Sequence, residues 1–365
     1  MLGSLGRGGT ETLMLDVFKY CRKEGSDIIG IYRKSGKYFD EFNKTGIPLL
    51  QVKPRFIFDP LYFRRLRKAL KKNHVDVVHT QQAIDALYAK IACIGLGIKV
   101  ILTFHGYNYR YGRMNNIITH FIINKTNLNI YVSNSQRTDY FKNYRVKNNA
   151  KQVVIYNGIS FKKLNNVEFV SLRKEFNIPQ SSLLLGSVGN FVKVRDQLTT
   201  CRFLNLLNKK EIDFAFLFAG ARIESEAELF DQCTKYCEDH GLSQKVFFPG
   251  SRNDIPNILS QLDAFVYSTS HDTFGIAVIE AMAMGVPVFV NDWEVMIEIT
   301  DGGNHGIIYE TKNEENLMHR FMPFINQKEV YKEKARKDAI WARSHYGIQK
   351  HVSSLIMAYR SLYEI

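Results

Sequence analysis

Five cysteines in 365 residues, an odd number, argue against a disulfide framework and for a reducing compartment. Only Cys233 and Cys237 stand close, within one stretch that reads as an amphipathic helix. No second Cys or His pair is near enough to complete a zinc site, and the two read as packing residues. Long apolar runs are also missing. The longest, IACIGLGIKVILTF, is interrupted by Lys99 and by glycines and falls short of the roughly 20 residues a membrane helix needs. No signal peptide, low-complexity segment or short repeat is visible. The chain is therefore expected to be cytoplasmic, soluble or at most peripheral on the inner face of a membrane.

What is present is a globular composition, with 45% hydrophobic and 13% aromatic residues, in a chain long enough for about two domains. Short β-branched runs alternate with longer helical patterns throughout. The first half carries DIIGIYR, IPLLQV, VDVVHT, VILTF, NIYVS and VVIYN. The second carries LLLGSVG, DFAFLFAG, KVFFPG, AFVYST, VPVFVN and HGIIYE. Near-continuous apolar strands separated by helices indicate parallel sheets covered on both faces. The expected fold is α/β: two doubly wound, Rossmann-like domains facing across a cleft. Residues 1–157 form the first and residues 158–345 the second. Residues 346–365 read as a terminal helix, with Val352, Leu355, Ile356, Tyr359 and Leu362 on one face, expected to pack back on the first domain.

One stretch, YSTSHDTFGIAVIEAMAMGVPVFVNDW at residues 267–293, combines a strand end, a polar loop and an apolar helix ended by Gly285 and Pro287. The amino terminus of that helix offers unpaired N–H groups and a positive dipole end, which suits a diphosphate. Glu280 sits among Ile276, Ala277, Val278, Ile279, Ala281, Met282 and Ala283. A carboxylate there is either a surface residue or a ligand contact, since burial without a partner is costly.

Segment by segment, the chain resembles the retaining glycosyltransferases of the GT-B fold, family four. That family carries E-G-F-G-x-x-x-x-E-A-M-A-x-G-x-P-V, and here the segment reads DTFGIAVIEAMAMGVPV. GRGGTET, VDVVH, LTFHG, YVSNS, IYNGI, VRDQ after GSVGN, FFPGSRNDI and EIT follow in family order. The resemblance implies that Glu280 binds the donor ribose and Asp272 the hydroxyls of the transferred sugar. The Phe274, Gly275 and Ile276 amides would meet the diphosphate. Arg195 stands where the family has a lysine that neutralises the leaving diphosphate, with Lys193 the next cation to consider. His105 would lie beside the sugar, although its place in TFHGY also suits a strand-end cap. Gly8 and Gly9 would let the first loop approach the ligand closely.

There are departures. Asp272 is one methylene shorter than the family glutamate, and Asn190 replaces an arginine at the diphosphate. Arg195 binds phosphate as a fork rather than as a point charge. Glu298 matches a family position but reads as structural. The chain enters its first loop almost at once, so most of the first strand is expected to be missing and the sheet edge beside it open.

The implied reaction transfers a hexosyl unit with retention from a UDP-sugar or GDP-sugar, a UDP-sugar foremost, to a glycan or lipid-linked glycan, as in capsule or lipopolysaccharide synthesis. The nucleotide-sugar is a substrate, and no cofactor is expected. The absence of an Asp-x-Asp dyad agrees with a metal-free site. Two alternatives share the sequence evidence: a nucleotide-sugar 2-epimerase, whose proton-abstracting carboxylates are not found, and a catalytically weak nucleotide-sugar-binding subunit. Charge is uneven. Residues 1–157 hold 26 Lys+Arg against 10 Asp+Glu, while residues 158–365 hold 23 against 26. The densest basic segment, LYFRRLRKALKKNH at residues 61–74, reads either as a packed amphipathic helix or as a contact for anionic membrane. Nucleic acid is not expected as a partner, because no nucleic-acid-binding motif accompanies the charge.

Overall fold

The computed structural model describes residues 1–363 apart from 26, 57, 58, 111, 148–150 and 166. The chain divides into two compact units, Met1–Ser160 with Tyr346–Ile365, and Phe161–His345. The division falls three residues beyond 157, because the strand-like segment at Ile159 pairs with Gly347 and belongs to the first unit.

In the first unit, β1 (Leu2–Ser4), β2 (Gly30–Lys34) and β3 (Leu49–Gln51) form one parallel sheet in the order β1-β2-β3. β4 (Val77–Thr80), β5 (Lys99–Phe104), β6 (Leu128–Tyr131) and β7 (Lys151–Val154) form a second in sequence order. The first strand is short, as expected, and β1 is an edge strand of its sheet. Three residues suffice for β1, and the Met1 amino group donates to the His79 carbonyl of β4 at 2.6 Å. Leu2 and Leu5 are buried beneath helix Gly9–Lys23. Short strands tolerate this because their neighbours, not their own length, supply the apolar cover.

Helix Pro60–Lys72 follows from its sequence. The Asp59 carboxylate accepts from the Leu61 amide, Pro60 occupies the first turn, and Tyr62, Leu66 and Leu70 recur on one face, all buried. Its six cations face away from that core. Helix Ile348–Arg360 places Ile348 and Val352 against Leu13, Met14 and Phe18, while Leu355 meets Ile101 and Ile130 beneath the other sheet.

The second unit holds one six-stranded parallel sheet: β8 (Leu183–Val188), β9 (Phe214–Ala219), β10 (Val246–Gly250), β11 (Ala264–Tyr267), β12 (Val288–Asn291) and β13 (Ile307–Tyr309). Their order is β10-β9-β8-β11-β12-β13. Every residue of β9, β11 and β12 is buried, as expected of strands covered by helices on both faces. All twelve runs singled out in the sequence are strands, and both units have the parallel, helix-covered organisation of Rossmann-like domains. No described helix is long and apolar enough to cross a membrane.

Asp263, just before β11, ties the long helix Lys328–Tyr346 to this sheet. It accepts from Lys332 Nζ at 2.5 Å and from the Leu184 amide at 2.8 Å, with Lys328 at 3.6 Å. Burial pushes its carboxyl up, but these partners outweigh burial and hold it below the usual carboxylate range. A depressed carboxylate contributes stability above its unfolded value, about 3.9, and loses it as pH falls through the folded value. Asp263→Asn should therefore cost about 2–4 kcal/mol at neutral pH. Denaturant unfolding at falling pH should show the gap between variant and wild type closing below about pH 4.

Candidate nucleotide site

Strands β8 and β11 are neighbours, yet their crossover connections run to opposite sides of the sheet. Such a reversal splays the following loops apart and leaves a crevice at the carboxyl ends. The loop after β8 carries Asn190, Lys193 and Arg195, and the loop after β11 carries Asp272, Phe274 and Gly275. The two are joined. Thr269 Oγ1 donates to the Val194 carbonyl at 3.0 Å, the Ser270 amide donates to the same carbonyl, and Arg195 bridges Thr269. Asn291, fully buried at the end of β12, accepts from the Thr269 amide and donates to the Thr269 carbonyl.

The Arg195 side chain is held by two residues. Its Nη1 meets Asp272 Oδ2 at 2.8 Å, and its guanidinium lies 4.6 Å from the centre of the Tyr267 ring. Tyr267 also donates its hydroxyl to Asp272 Oδ2 at 2.6 Å. The ion pair is with Asp272 and not with the adjacent Asp196, which caps helix Gln197–Lys209 through Thr199.

Asp272 is held within its own loop. Oδ2 accepts from Arg195 and Tyr267, while Oδ1 accepts from the Thr273 amide at 2.8 Å and the Phe274 amide at 3.4 Å. A side chain this short folds back onto its own loop. Each carboxylate oxygen accepts two hydrogen bonds, and Oδ2 pairs with Arg195. The Phe274 amide is committed to Oδ1.

Past it, the Gly275, Ile276 and Ala277 amides find no acceptor among the described residues. Gly275 is required here twice over. Its φ is +76°, and a Cβ would lie 2.7 Å from Met296 Cε.

Glu280 lies about 6 Å further along helix Ile276–Ala283. It is half-buried and makes no hydrogen bond or ion pair to any described residue. Burial drives its carboxyl up to about 7, and the charge of Lys163 offsets only part of this. Asn190 is exposed, and its Oδ1 accepts from the Ala221 amide at 3.0 Å, stapling the β8 loop to the one after β9. Lys193 donates its backbone amide to Glu226 and leaves its side chain exposed.

The first unit holds the remaining expected residues. His105 Nε2 lies 2.7 Å from Gln81 Oε1, an acceptor, so the ring donates there. Burial first, and then His351, push its pKa down to about 3, which keeps the ring neutral. Gly8 precedes helix Gly9–Lys23 in extended backbone. A Cβ on Gly8 would meet only the mobile end of Glu11, and one on Gly9 would meet nothing, so local packing demands neither glycine. Tyr267, Asn291 and Gln81 were not marked from the sequence. The one signal was a polar residue closing a buried apolar strand, as Asn291 closes VFVN.

Unpaired helix amides, a clamped guanidinium and a desolvated carboxylate thus lie together at a sheet reversal. Two Rossmann-like units in one chain define the GT-B class of glycosyltransferase. The family description "Glycosyltransferase Family 4" matches residues 7–163 and "Glycosyl transferases group 1" matches residues 169–340; the chain belongs to glycosyltransferase family four. It is 27% identical to the O-antigen biosynthesis glycosyltransferase WclY of Escherichia coli over 69% of this chain and 70% of that one. It is 25% identical to the UDP-Gal:alpha-D-GlcNAc-diphosphoundecaprenol alpha-1,3-galactosyltransferase of Escherichia coli over 78% of this chain and 76% of that one. The crystal structure of Anabaena HepE in complex with UDP-glucose superposes with a TM-score of 0.80 at 16% identity, covering 99% of both chains.

A carboxyl raised in the folded state binds its proton more tightly there, so its contribution to stability is complete below the unfolded value. It is lost as pH rises towards the folded one. The ligand-free protein should thus lose stability between about pH 4.3 and 7, and Glu280→Gln should flatten that decline. Thermal unfolding across this range checks it; parallel curves for the two proteins would remove Glu280 as the source.

Proposed function

We propose that the protein is a retaining hexosyltransferase that takes its sugar from a nucleotide-sugar, a UDP-sugar in the first instance. The acceptor in this reading is a lipid-linked glycan, in the synthesis of a bacterial O-antigen or a similar cell-surface polysaccharide on the cytoplasmic side of the membrane. The observation that carries it is Glu280, a desolvated carboxylate without a partner, set just past three unpaired amides. A nucleoside diphosphate answers both features, with phosphate oxygens for the amides and ribose hydroxyls for the carboxylate. Support for the donor and acceptor comes from the printed activity of the galactosyltransferase relative, which uses UDP-Gal and a diphosphoundecaprenol-linked sugar.

In this reading Arg195 neutralises the charge that grows on the departing diphosphate, and Asp272 and Tyr267 hold the guanidinium in place. Lys193 supplies a second, mobile cation where Asn190 has none. The acceptor hydroxyl attacks the anomeric carbon on the face the nucleotide leaves. As the carbon–oxygen bond to phosphate breaks, the new glycosidic bond forms and the hydroxyl proton passes to the departing phosphate oxygen. His105, neutral and from the first unit, hydrogen-bonds a sugar hydroxyl. The charge is carried by protein groups, and no metal is required. Orientation and leaving-group stabilisation supply the rate.

A panel of UDP- and GDP-sugars tests this reading by release of nucleotide and by the anomeric configuration of the product. Epimerised donor, or binding without release, would overturn it in favour of a 2-epimerase or a binding subunit. Glu280→Ala should abolish detectable turnover. Arg195→Ala should lower kcat on the order of 10²-fold or more, as loss of a leaving-group stabiliser does. Asp272→Asn should lower kcat while changing nucleotide affinity little, because it loosens Arg195 and leaves the amides and Glu280 intact.

A further inference from the structure

The second unit has a hollow at the other end of its sheet from the candidate site. It encloses about 390 Å³ between helix Lys328–Tyr346 and the amino ends of β12 and β13. Val330, Tyr331, Lys334 and Ala335 line it from one face of that helix, and Met282, Val288 and Ile307 form the opposite wall. The crevice beside Arg195, Asp272 and the helix amides opens instead at the carboxyl ends of the strands, so the two spaces are distinct.

The fold keeps the hollow open. Helix Lys328–Tyr346 is tied down by Lys332 on Asp263 and by Arg343, whose Nε donates to the Ala283 carbonyl at 2.8 Å. Between these points its backbone passes close to Gly285, where a Cβ would lie 3.3 Å from Arg336 Cα. The approach of the helix is fixed there, and Ala335, 6% exposed, is too small to fill the gap beside it. Polar groups around the space fall into two sets. Lys334 Nζ meets Asp338 Oδ2 at 2.6 Å and the Asn304 carbonyl, while His305 donates from Nδ1 to Asp338 Oδ1 at 2.7 Å with its ring stacked on Trp341. The lysine charge is thus already matched. The Tyr331 hydroxyl and the Gln327 carboxamide, both on the lining, make no hydrogen bond to any described residue.

We infer that this hollow is a second ligand site, for a small, uncharged, mostly apolar molecule with one polar group to meet Tyr331 or Gln327. Sites for such molecules have this form, with volumes from about 300 Å³ upward, apolar walls and a few placed polar groups. An anion would leave water for walls that are mostly apolar and for a lysine that is already paired, which is unfavourable. Val330, 62% exposed, offers apolar surface to a ligand as it enters. Met282 sets the bound molecule against the helix that carries Glu280, two residues back. The inference stands on the cavity alone and not on the donor chemistry.

The probe for the test is N-phenylnaphthylamine, an uncharged aromatic amine whose emission brightens when it leaves water. Titrated into the wild-type protein it should bind saturably, and anilinonaphthalene sulfonate, the same body with a sulfonate added, should bind roughly tenfold more weakly or worse. Ala335→Phe, which places a ring in the hollow, should abolish binding. Val330→Asp, at an exposed position, should weaken it roughly tenfold by putting a charge at the entrance. The probe should also raise the thermal unfolding midpoint of the wild type and leave that of Ala335→Phe unmoved, since a ligand stabilises only a fold that binds it. If Ala335→Phe does not fold, Val330→Asp and the sulfonate comparison carry the test. Absence of saturable binding, equal binding of the sulfonate, or undiminished binding by Val330→Asp would overturn the inference. So would displacement of the probe by UDP, which would put it in the nucleotide crevice.

Discussion

The loop that presents the candidate site is held by one buried carboxamide. Asn291 uses its oxygen on the Thr269 amide and its nitrogen on the Thr269 carbonyl, at 2.9 and 2.8 Å, and also reaches Thr311 on the far side. Thr269 then fixes Val194, and so sets Arg195 opposite Asp272. Replacing a buried side chain that makes three hydrogen bonds leaves each partner unsatisfied, at a cost of about 1–3 kcal/mol apiece. The geometry of the cation, the carboxylate and the helix amides therefore rests on a residue two strands away from β8. That residue meets no ligand in the proposed reaction.

The same dependence explains what was legible in the sequence. Apolar runs such as DFAFLFAG and AFVYST carry their own strand signal, because strands buried on both faces leave no polar alternation to confuse them. Glu280 announced itself through contrast with its neighbours, and the GT-B family through segments that lie in order along the chain. What stayed hidden was set by contacts distant in sequence. Tyr267 reads as the end of a strand until its hydroxyl is seen on Asp272. The fold-back of Asp272 depends on one missing methylene and on where Arg195 lies. The first strand is only three residues long, pairing with β2 on one side while the Met1 amino group reaches the His79 carbonyl of β4 on the other.

Charge density was a weak guide to which apolar faces the fold covers. The segment LYFRRLRKALKKNH drew attention because its cations are dense, but its apolar face is satisfied inside the protein. RMNNIITHFI carries only Arg113 and His120, and nothing in its composition marks it. Hydrophobic periodicity shows that a helix has an apolar face; it does not show whether two faces are apolar or which of them the fold covers. Met114, Ile117 and Phe121 are left exposed because Ile118 and Ile122 have taken the core positions.

The other partly or fully buried acids of the chain set Glu280 apart. Asp59 accepts from the Arg55 and Leu61 amides and from Arg65, Asp85 meets Arg33, and Asp263 meets Lys332 and Lys328. In each case the fold provides a donor; for Asp59 and Asp263 the partners outweigh desolvation, while for Asp85 burial still holds the carboxyl above the usual carboxylate range. Glu280 receives no such partner, although Lys163 lies near enough to act on it. Ala281 and Ala283 take the buried positions beside it, while Glu280 is half-buried and its carboxylate meets no described donor. Keeping one costs stability as pH rises towards neutrality. In the proposed reaction that cost is recovered when the donor's hydroxyls reach Glu280, since they would stabilise the ionised form that burial disfavours.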